Sequence, residues 1–284
     1  CSSLSAAVNA AIGASLGGKR VLVPTSVPRS IEDIYTAAYM RLHMVFVNIS
    51  RPLGTYSIKH DHSDIAALMG AGCLVFMPES NHDLITAIIQ AYKVSEELMM
   101  PSIVTVDFAN YMESMMPFQE QLAKRFVGKI NVHNFDRKQK YFAVPDDNYA
   151  EYKKQQHKAM KAASESIDKV SKMWQKKTKQ EMPSVEAYKL EDADLALVIA
   201  GYHSTTAKAS VDKLRSAGKK VGLLRLRVIR PWPSGAIENA LKSAKRVAVI
   251  DQAVSLGRHG LFYGELNNKS RFSSTVTWQC SCNI

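Results

Sequence analysis

The chain has 284 residues, 46% of them hydrophobic and 22% charged, and its 37 Lys and Arg against 26 Asp and Glu give a net charge of +11. That length predicts two domains, and no apolar run approaches the roughly 18 residues that span a bilayer, so a membrane-spanning protein is not expected. Nor does the charge predict a nucleic-acid reader: the lysines crowd into residues 152–179 beside Glu165, Asp168 and aliphatic positions, the composition of a solvated helix face.

Residue 1 is cysteine, and no basic region precedes an apolar core, so the start reads as internal and not as a signal peptide. Residues 4–16 are small and alanine-rich and are followed by Gly17-Gly18, which predicts a helix with a glycine stop. Residues 21–23 and 44–49 predict short buried strands around a helix over 31–41. A polar loop then runs from Arg51 to Asp64, and 73–77 predicts another strand. Ser80 or Asn81 with Asp83 opens a helix to about Leu98; Pro101 prevents its continuation and a strand resumes over 103–108. Strand and helix alternating in this way imply a mainly parallel sheet with both faces covered.

From 118 to 143 the periodicity fades, and Asp146-Asp147 opens a long lysine-rich helix that reaches about Lys179 and is ended by Pro183. Residues 194–200, 221–228 and 247–250 predict three strands, separated by helices at 205–217 and 234–242. The expectation is therefore an α/β fold of two domains: 1–117, a connector over 118–190, a smaller α/β domain over 191–268, and an irregular tail over 269–284. The second domain's strands end at Gly201-Tyr-His-Ser204, Arg230-Pro-Trp-Pro233 and Asp251, on one edge where open sheets bind ligands. Ser204 reads as a helix cap and the prolines as a rigid turn. Cys1, Cys73, Cys280 and Cys282 show neither a disulfide framework nor zinc spacing, which predicts a reducing compartment, the cytoplasm.

The segment richest in chemistry is Arg51-Pro-Leu-Gly-Thr-Tyr-Ser-Ile-Lys-His-Asp-His-Ser-Asp64, placed directly after a buried strand. The planar fork of Arg51 suits a carboxylate or phosphate, and the alternative is an ion pair with Asp61 or Asp64. His60, Asp61, His62 and Asp64 admit three readings: a metal site, for which the spacing is unfamiliar, a hydrogen-bonded active-site wall, or a solvated turn. Thr55 and Tyr56 lie on the same loop.

This loop, with Ala91-Tyr-Lys-Val-Ser-Glu-Glu-Leu-Met-Met-Pro101 and Ile103-Val-Thr-Val-Asp-Phe108, resembles the alpha subunit of pyruvate:ferredoxin oxidoreductase and the related 2-oxoacid:ferredoxin oxidoreductases. The likeness returns in residues 191–201, 218–233 and 247–257, and covers most of residues 10–266. It implies a thiamine-diphosphate-enzyme pyrimidine-type domain, its N-terminal part missing here, followed by a transketolase C-terminal-like domain. The implied activity is oxidative decarboxylation of pyruvate, or a related 2-oxoacid, to acyl-CoA with electrons passing to ferredoxin. Thiamine diphosphate with magnesium would be shared with a partner subunit. The partners would be beta, gamma and delta-type subunits, with the iron–sulfur clusters on partner subunits and no metal on this chain. Arg51 falls where the family holds the substrate carboxylate, Thr55 and Tyr56 on the same loop are expected to reach substrate, and Asp61, His62 and Asp64 fall on its active-site loop. The family's pyrimidine-contacting glutamate aligns near Ser3 or Leu4, where no glutamate stands, so the alternative expectation is a degenerate scaffold subunit of the same complex.

Overall fold

The computed structural model describes residues 3–26, 30–52, 61–107, 117–130 and 149–267. Its first part is built from β-branched and aromatic runs that bury both faces of a strand. In order it contains α1 (Leu4–Leu16), β1 (Val21–Thr25), α2 (Ile31–Tyr39), β2 (Met44–Ser50), α3 (Ser63–Leu68), β3 (Leu74–Phe76), α4 (Asn81–Leu98) and β4 (Ser102–Asp107). These four strands pair in parallel in the order β1-β2-β4-β3. Side-chain caps set two helix starts. Ser3 Oγ accepts the Ala6 N–H at 3.1 Å on α1, and Ser80 Oγ accepts the Asp83 N–H at 3.2 Å on α4.

A short helix, α5 (Glu120–Val127), lies where the sequence pattern fades, and α6 (Tyr149–Thr178) follows. Ala163, Ile167, Val170 and Trp174 recur at spacings of four and three on α6, and they bury one stripe against α4 while the lysines face solvent. Trp174 meets Phe126 edge to face with centroids 5.0 Å apart, which fastens α5 to α6.

The remaining elements are β5 (Val185–Tyr188), β6 (Leu195–Ala200), α7 (His203–Ser216), β7 (Val221–Leu226), β8 (Val228–Arg230), α8 (Ser234–Leu241), β9 (Arg246–Val249) and α9 (Leu261–Asn267). They form a second sheet in the order β5-β7-β6-β9, parallel except for β5, which runs antiparallel to β7. The fold is α/β with mixed sheets, since each sheet carries one antiparallel edge strand. The strand expected over 221–228 is in fact two. It breaks at Arg227, and β8 crosses to the first sheet and pairs antiparallel with β3. β5 and α9 were not foreseen, because Val185–Tyr188 is too short and too polar for a clear strand signal and α9 is under two turns long.

The break has an electrostatic cause. Arg225 and Arg227, 4% and 2% exposed, turn toward the start of α4. Arg227 Nε donates to Asp83 Oδ1 at 2.8 Å and Arg227 Nη1 to Gln90 Oε1 at 2.5 Å. Arg225 bonds Glu79 at 2.9 Å, Glu186 at 2.8 Å and also Asp83, while Lys208 bridges Glu79 and Glu186 at 2.7 Å each. Three acids meet three bases, so burial leaves no net charge. Burial alone would raise the Asp83 carboxyl, but Arg227 and Arg225 hold it well below the usual carboxylate range. The two sheets also share an apolar core, in which Ile65, Val75 and Met77 pack with Val198, Leu224, Leu226 and Val249.

Removing one partner of such a buried network strands the others. Arg227→Ala is expected to destabilise the chain by about 3–5 kcal/mol in chemical denaturation, far beyond the ~0–1 kcal/mol typical of exposed ion pairs. A loss of the exposed-pair size would show that the network does not fasten the sheets.

Candidate functional site

In a parallel sheet the loops that follow the carboxyl ends of the strands are free to converge, and here both sheets bring those ends together. From the first sheet come Ser26 after β1, Ser50 and Arg51 at the end of β2, and Asp107 closing β4. From the second come Gly201 and Tyr202 after β6 and Asp251 and Gln252 after β9.

Arg51 is half-buried, and its Nε donates to Ser26 Oγ at 2.9 Å. It forms no ion pair among the described residues, so the expected alternative of a bond to Asp61 or Asp64 is not what the structure contains. Those carboxylates are occupied elsewhere. Asp61 Oδ1 accepts the Ser63 N–H at 2.5 Å. Asp64, fully buried, accepts from Asn48 Nδ2 at 2.7 Å through Oδ2, and from Ser50 Oγ at 2.9 Å and the Ile65 N–H at 2.8 Å through Oδ1. The Ser50 hydroxyl also lies 2.9 Å from the Asp61 carbonyl oxygen and shares its proton between the two. Ser50 directly precedes Arg51, so these contacts pin the neck of the loop that Arg51 opens.

His62, 1% exposed, turns into the interior. Its Nε2 lies 2.8 Å from Asp107 Oδ1, and since a carboxylate only accepts, Nε2 donates. Asp107 Oδ2 accepts the Tyr202 N–H at 2.7 Å. The His62 N–H donates to the Gln252 carbonyl at 3.3 Å, and its ring meets Phe262 at 6.3 Å. Burial pulls the imidazole pKa down, but Asp107, Asp64 and Asp61 outweigh it and raise the pKa above its ordinary value. Asp251 accepts the N–H groups of Phe262 at 2.8 Å and Tyr263 at 3.1 Å at the start of α9, and burial raises its carboxyl.

The structure thus gathers Arg51, Asp61, His62 and Asp64 around one neck, with His62 and Asp64 too deeply buried for a solvated turn. Thr55, Tyr56 and His60 lie outside the described residues. Among the described residues no group of three His, Cys, Asp or Glu is arranged to hold a metal ion, so the metal reading of this loop finds no support there. Sequence reasoning missed Asn48 and Ser50, although both interrupt the apolar run of β2, and it missed Asp107, the last residue of β4 and the partner of His62.

Two family models match this chain. One, described as pyruvate flavodoxin/ferredoxin oxidoreductase, thiamine diP-binding, covers residues 3–176; the other, pyruvate:ferredoxin oxidoreductase core domain II, covers 193–279. Pyruvate synthase subunit PorA of Methanothermobacter thermautotrophicus is 30% identical over 92% of this chain and 72% of its own length, and that of Methanocaldococcus jannaschii 32% over 88% and 69%. Ketoisovalerate oxidoreductase subunit VorA of Pyrococcus horikoshii is 28% identical over 91% and 69%. Among solved structures, 2-oxoglutarate:ferredoxin oxidoreductase from Magnetococcus marinus superposes with a TM-score of 0.66 at 15% identity, over 98% of this chain but only 53% of that one. A split-gene transketolase in an inactive tetramer gives 0.58 at 13% identity, over 97% and 71%. At those identities the two structures speak for the fold alone.

The carboxyl of Asp64 is pushed up from 3.8 to about 6, chiefly by burial, against the lowering effect of Asn48, Ser50, His62 and the Ile65 N–H. A group whose pKa is raised in the folded state contributes stability below its unfolded pKa and loses it as pH rises through the folded value. Asp64→Asn does not titrate. Wild type is therefore expected to gain on the order of 2–3 kcal/mol relative to that variant as pH falls from about 7 to about 4. Paired urea titrations across this range check it, and a difference, wild type minus variant, that stays level or falls on acidification would contradict the assignment.

Proposed function

The chain belongs to the pyruvate:ferredoxin oxidoreductase alpha-subunit family, and from that premise we propose that it is the alpha subunit of a 2-oxoacid:ferredoxin oxidoreductase in which Arg51 binds the substrate carboxylate. The observation that carries the proposal is the state of Arg51. It follows β2 at the carboxyl edge of the first sheet, next to Ser50, whose hydroxyl contacts Asp61 and Asp64, while each neighbouring carboxylate already has its donors. Arg51 forms no ion pair among the described residues, and a charge-assisted bond from its guanidinium to a substrate carboxylate would contribute about 1.5–3 kcal/mol.

A carboxylate is common to every 2-oxoacid, so Arg51 would define the substrate class and not the member. Relatives named for pyruvate match this chain at 30–32% identity and one named for ketoisovalerate at 28%, and the substrate proposed, pyruvate, rests on the former. Coenzyme A as acyl acceptor, ferredoxin as electron acceptor, and beta, gamma and delta-type subunits are likewise proposed from the family. No helix among the described residues is long and apolar enough to cross a membrane. The cytoplasm remains the proposed location.

Thiamine diphosphate, which supplies carbanion chemistry when bound, does not find a full set of partners among the described residues. They show no oxygen cluster for magnesium, and the first turn of α1 carries no acidic side chain, with Ser3 spent on capping the helix. The diphosphate and its metal are proposed, from the family, to be shared with a partner subunit, and the iron–sulfur clusters to lie on partner subunits. The second proposed domain, of transketolase C-terminal type, would support the assembly. The bare first turn of α1 also supports a second reading, a non-catalytic scaffold subunit, which the same measurements separate from the first.

Arg51→Ala in the assembled complex is expected to raise the Michaelis constant for the 2-oxoacid by about ten- to a hundredfold while the complex stays intact, as loss of a charge-assisted pair requires. A steady-state dye-reduction assay with pyruvate and coenzyme A measures it; an unchanged constant would remove Arg51 from the site, and no turnover in wild type would favour the scaffold. Calorimetry of thiamine diphosphate with magnesium is expected to show micromolar binding for the complex and none for the isolated chain. Equal binding by the isolated chain would overturn the division of labour.

A further inference from the structure

We propose that Asp107 is a positioning residue through which the second sheet holds His62, Asp61 and Ser50, the residue before Arg51, in place. Its two carboxylate oxygens serve two different parts of the molecule: Oδ1 takes His62 Nε2 at 2.8 Å, and Oδ2 takes the Tyr202 N–H at 2.7 Å. His62 stands one residue after Asp61, whose carbonyl is bound by Ser50, the residue before Arg51. Tyr202 stands two residues after the end of β6. A single side chain therefore joins the neck of the loop to the carboxyl edge of the other sheet.

The approach is close enough to dictate the residue at 201. Gly201 has φ +75°, a conformation that L side chains rarely adopt, and a Cβ placed there would lie 2.4 Å from Asp107 Oδ2 and 3.3 Å from His62 Cε1. Nothing larger than hydrogen fits between the two sheets at this point. A second link runs beside the first, from the His62 N–H to the Gln252 carbonyl after β9. Asp107 and His62 are 2% and 1% exposed, so water does not compete for these bonds.

The consequence reaches the chemistry through geometry. An anion ligand held by one guanidinium is sensitive to displacement, and a misplacement of about 1 Å in a positioning group costs on the order of a hundredfold. A shift of the second sheet would draw Tyr202 from Asp107 and, through Asp107, disturb His62 and the adjoining Asp61–Ser50 contact without touching Arg51. This inference rests on the reading of Arg51 given above, and its test is chosen to separate the two.

The experiment uses the chain assembled with its co-purifying subunits and reads two quantities. Gly201→Ala perturbs the contact from the second sheet and Asp107→Ala from the first. Both are expected to raise the 2-oxoacid Michaelis constant by about tenfold or more with kcat within about threefold of wild type. Both are also expected to speed amide hydrogen exchange at residues 61–65 by about tenfold. Asp107→Asn can still accept from the Tyr202 N–H and pair with the imidazole in its other tautomer, and so recovers most of each change. Loss confined to kcat or to the yield of complex, with exchange at 61–65 unmoved, overturns the proposal, because it marks a merely structural contact. If exchange at 61–65 rises while Arg51→Ala leaves the Michaelis constant unchanged, the positioning contact is supported and the Arg51 reading is what fails.

Discussion

The pairing of Asp83 with Arg225 and Arg227 decides how the two sheets of this chain meet. Apolar surfaces such as that shared by Val75, Met77, Leu224 and Leu226 drive association but tolerate sliding, since burial is roughly proportional to area and carries little direction. Buried guanidinium groups tolerate no such freedom. Each must find its acceptors or leave an uncompensated charge, at about 3–5 kcal/mol for a broken pair. The bonds from Arg227 to Asp83 and Gln90 draw the backbone out of the second sheet after Leu226 and deliver β8 to the edge of the first. With β3 and β7 so fixed, the ends of β4 and β6 come to bond distance, and Asp107 bridges them.

Two buried aspartates show how the partners, and not burial itself, set the charge state. Desolvation is the largest influence on both Asp83 and Asp64, and it raises both. Asp83 ends well below the ordinary range because two guanidinium groups lie against it, whereas Asp64 ends near 6 because most of its donors are neutral, an amide, a hydroxyl and a backbone N–H. The difference suits their places. Asp83 belongs to a fixed joint between sheets in which two guanidinium groups favour its ionised form. Asp64, at the neck of the Arg51 loop, is held by bonds that a proton weakens, since a protonated oxygen no longer accepts from both sides.

Much of this arrangement was legible in the sequence. The apolar runs that became β2, β4, β6 and β9, the glycine stop after α1 and the cap at Ser80 all rest on local chemistry, and the parallel order follows from strand and helix alternating. The site was legible as a segment, since Arg51, Asp61, His62 and Asp64 sit within fourteen residues of sequence. Its wiring was not. Asp107 is 45 residues from His62, and Tyr202 a further 95 from Asp107, so no periodicity or spacing connects them. The split of the 221–228 strand was hidden for a related reason. Val221 to Val228 reads as one strand, and only the acid at the start of α4, about 140 positions earlier, gives Arg227 a cause to leave it. Short elements failed differently: α3, β5 and α9 are held by contacts at the sheet junction and have too few residues to announce a period.

The long basic helix has its explanation at the same junction. Gln90, on α4 and fully buried, donates through Nε2 to the Ile167 carbonyl on α6 at 3.3 Å and to the Met182 carbonyl at 3.1 Å, while its Oε1 accepts from Arg227. One amide thus ties the helix, the turn that follows it and the crossover arginine into a single hydrogen-bonded chain. The apolar stripe of α6 completes the layer over α4, and its far side is left to water, where lysine lowers the cost of exposure. The charge that most conspicuously marks this sequence is therefore the outer face of a strut, and the charges that shape the protein are the few that it buries.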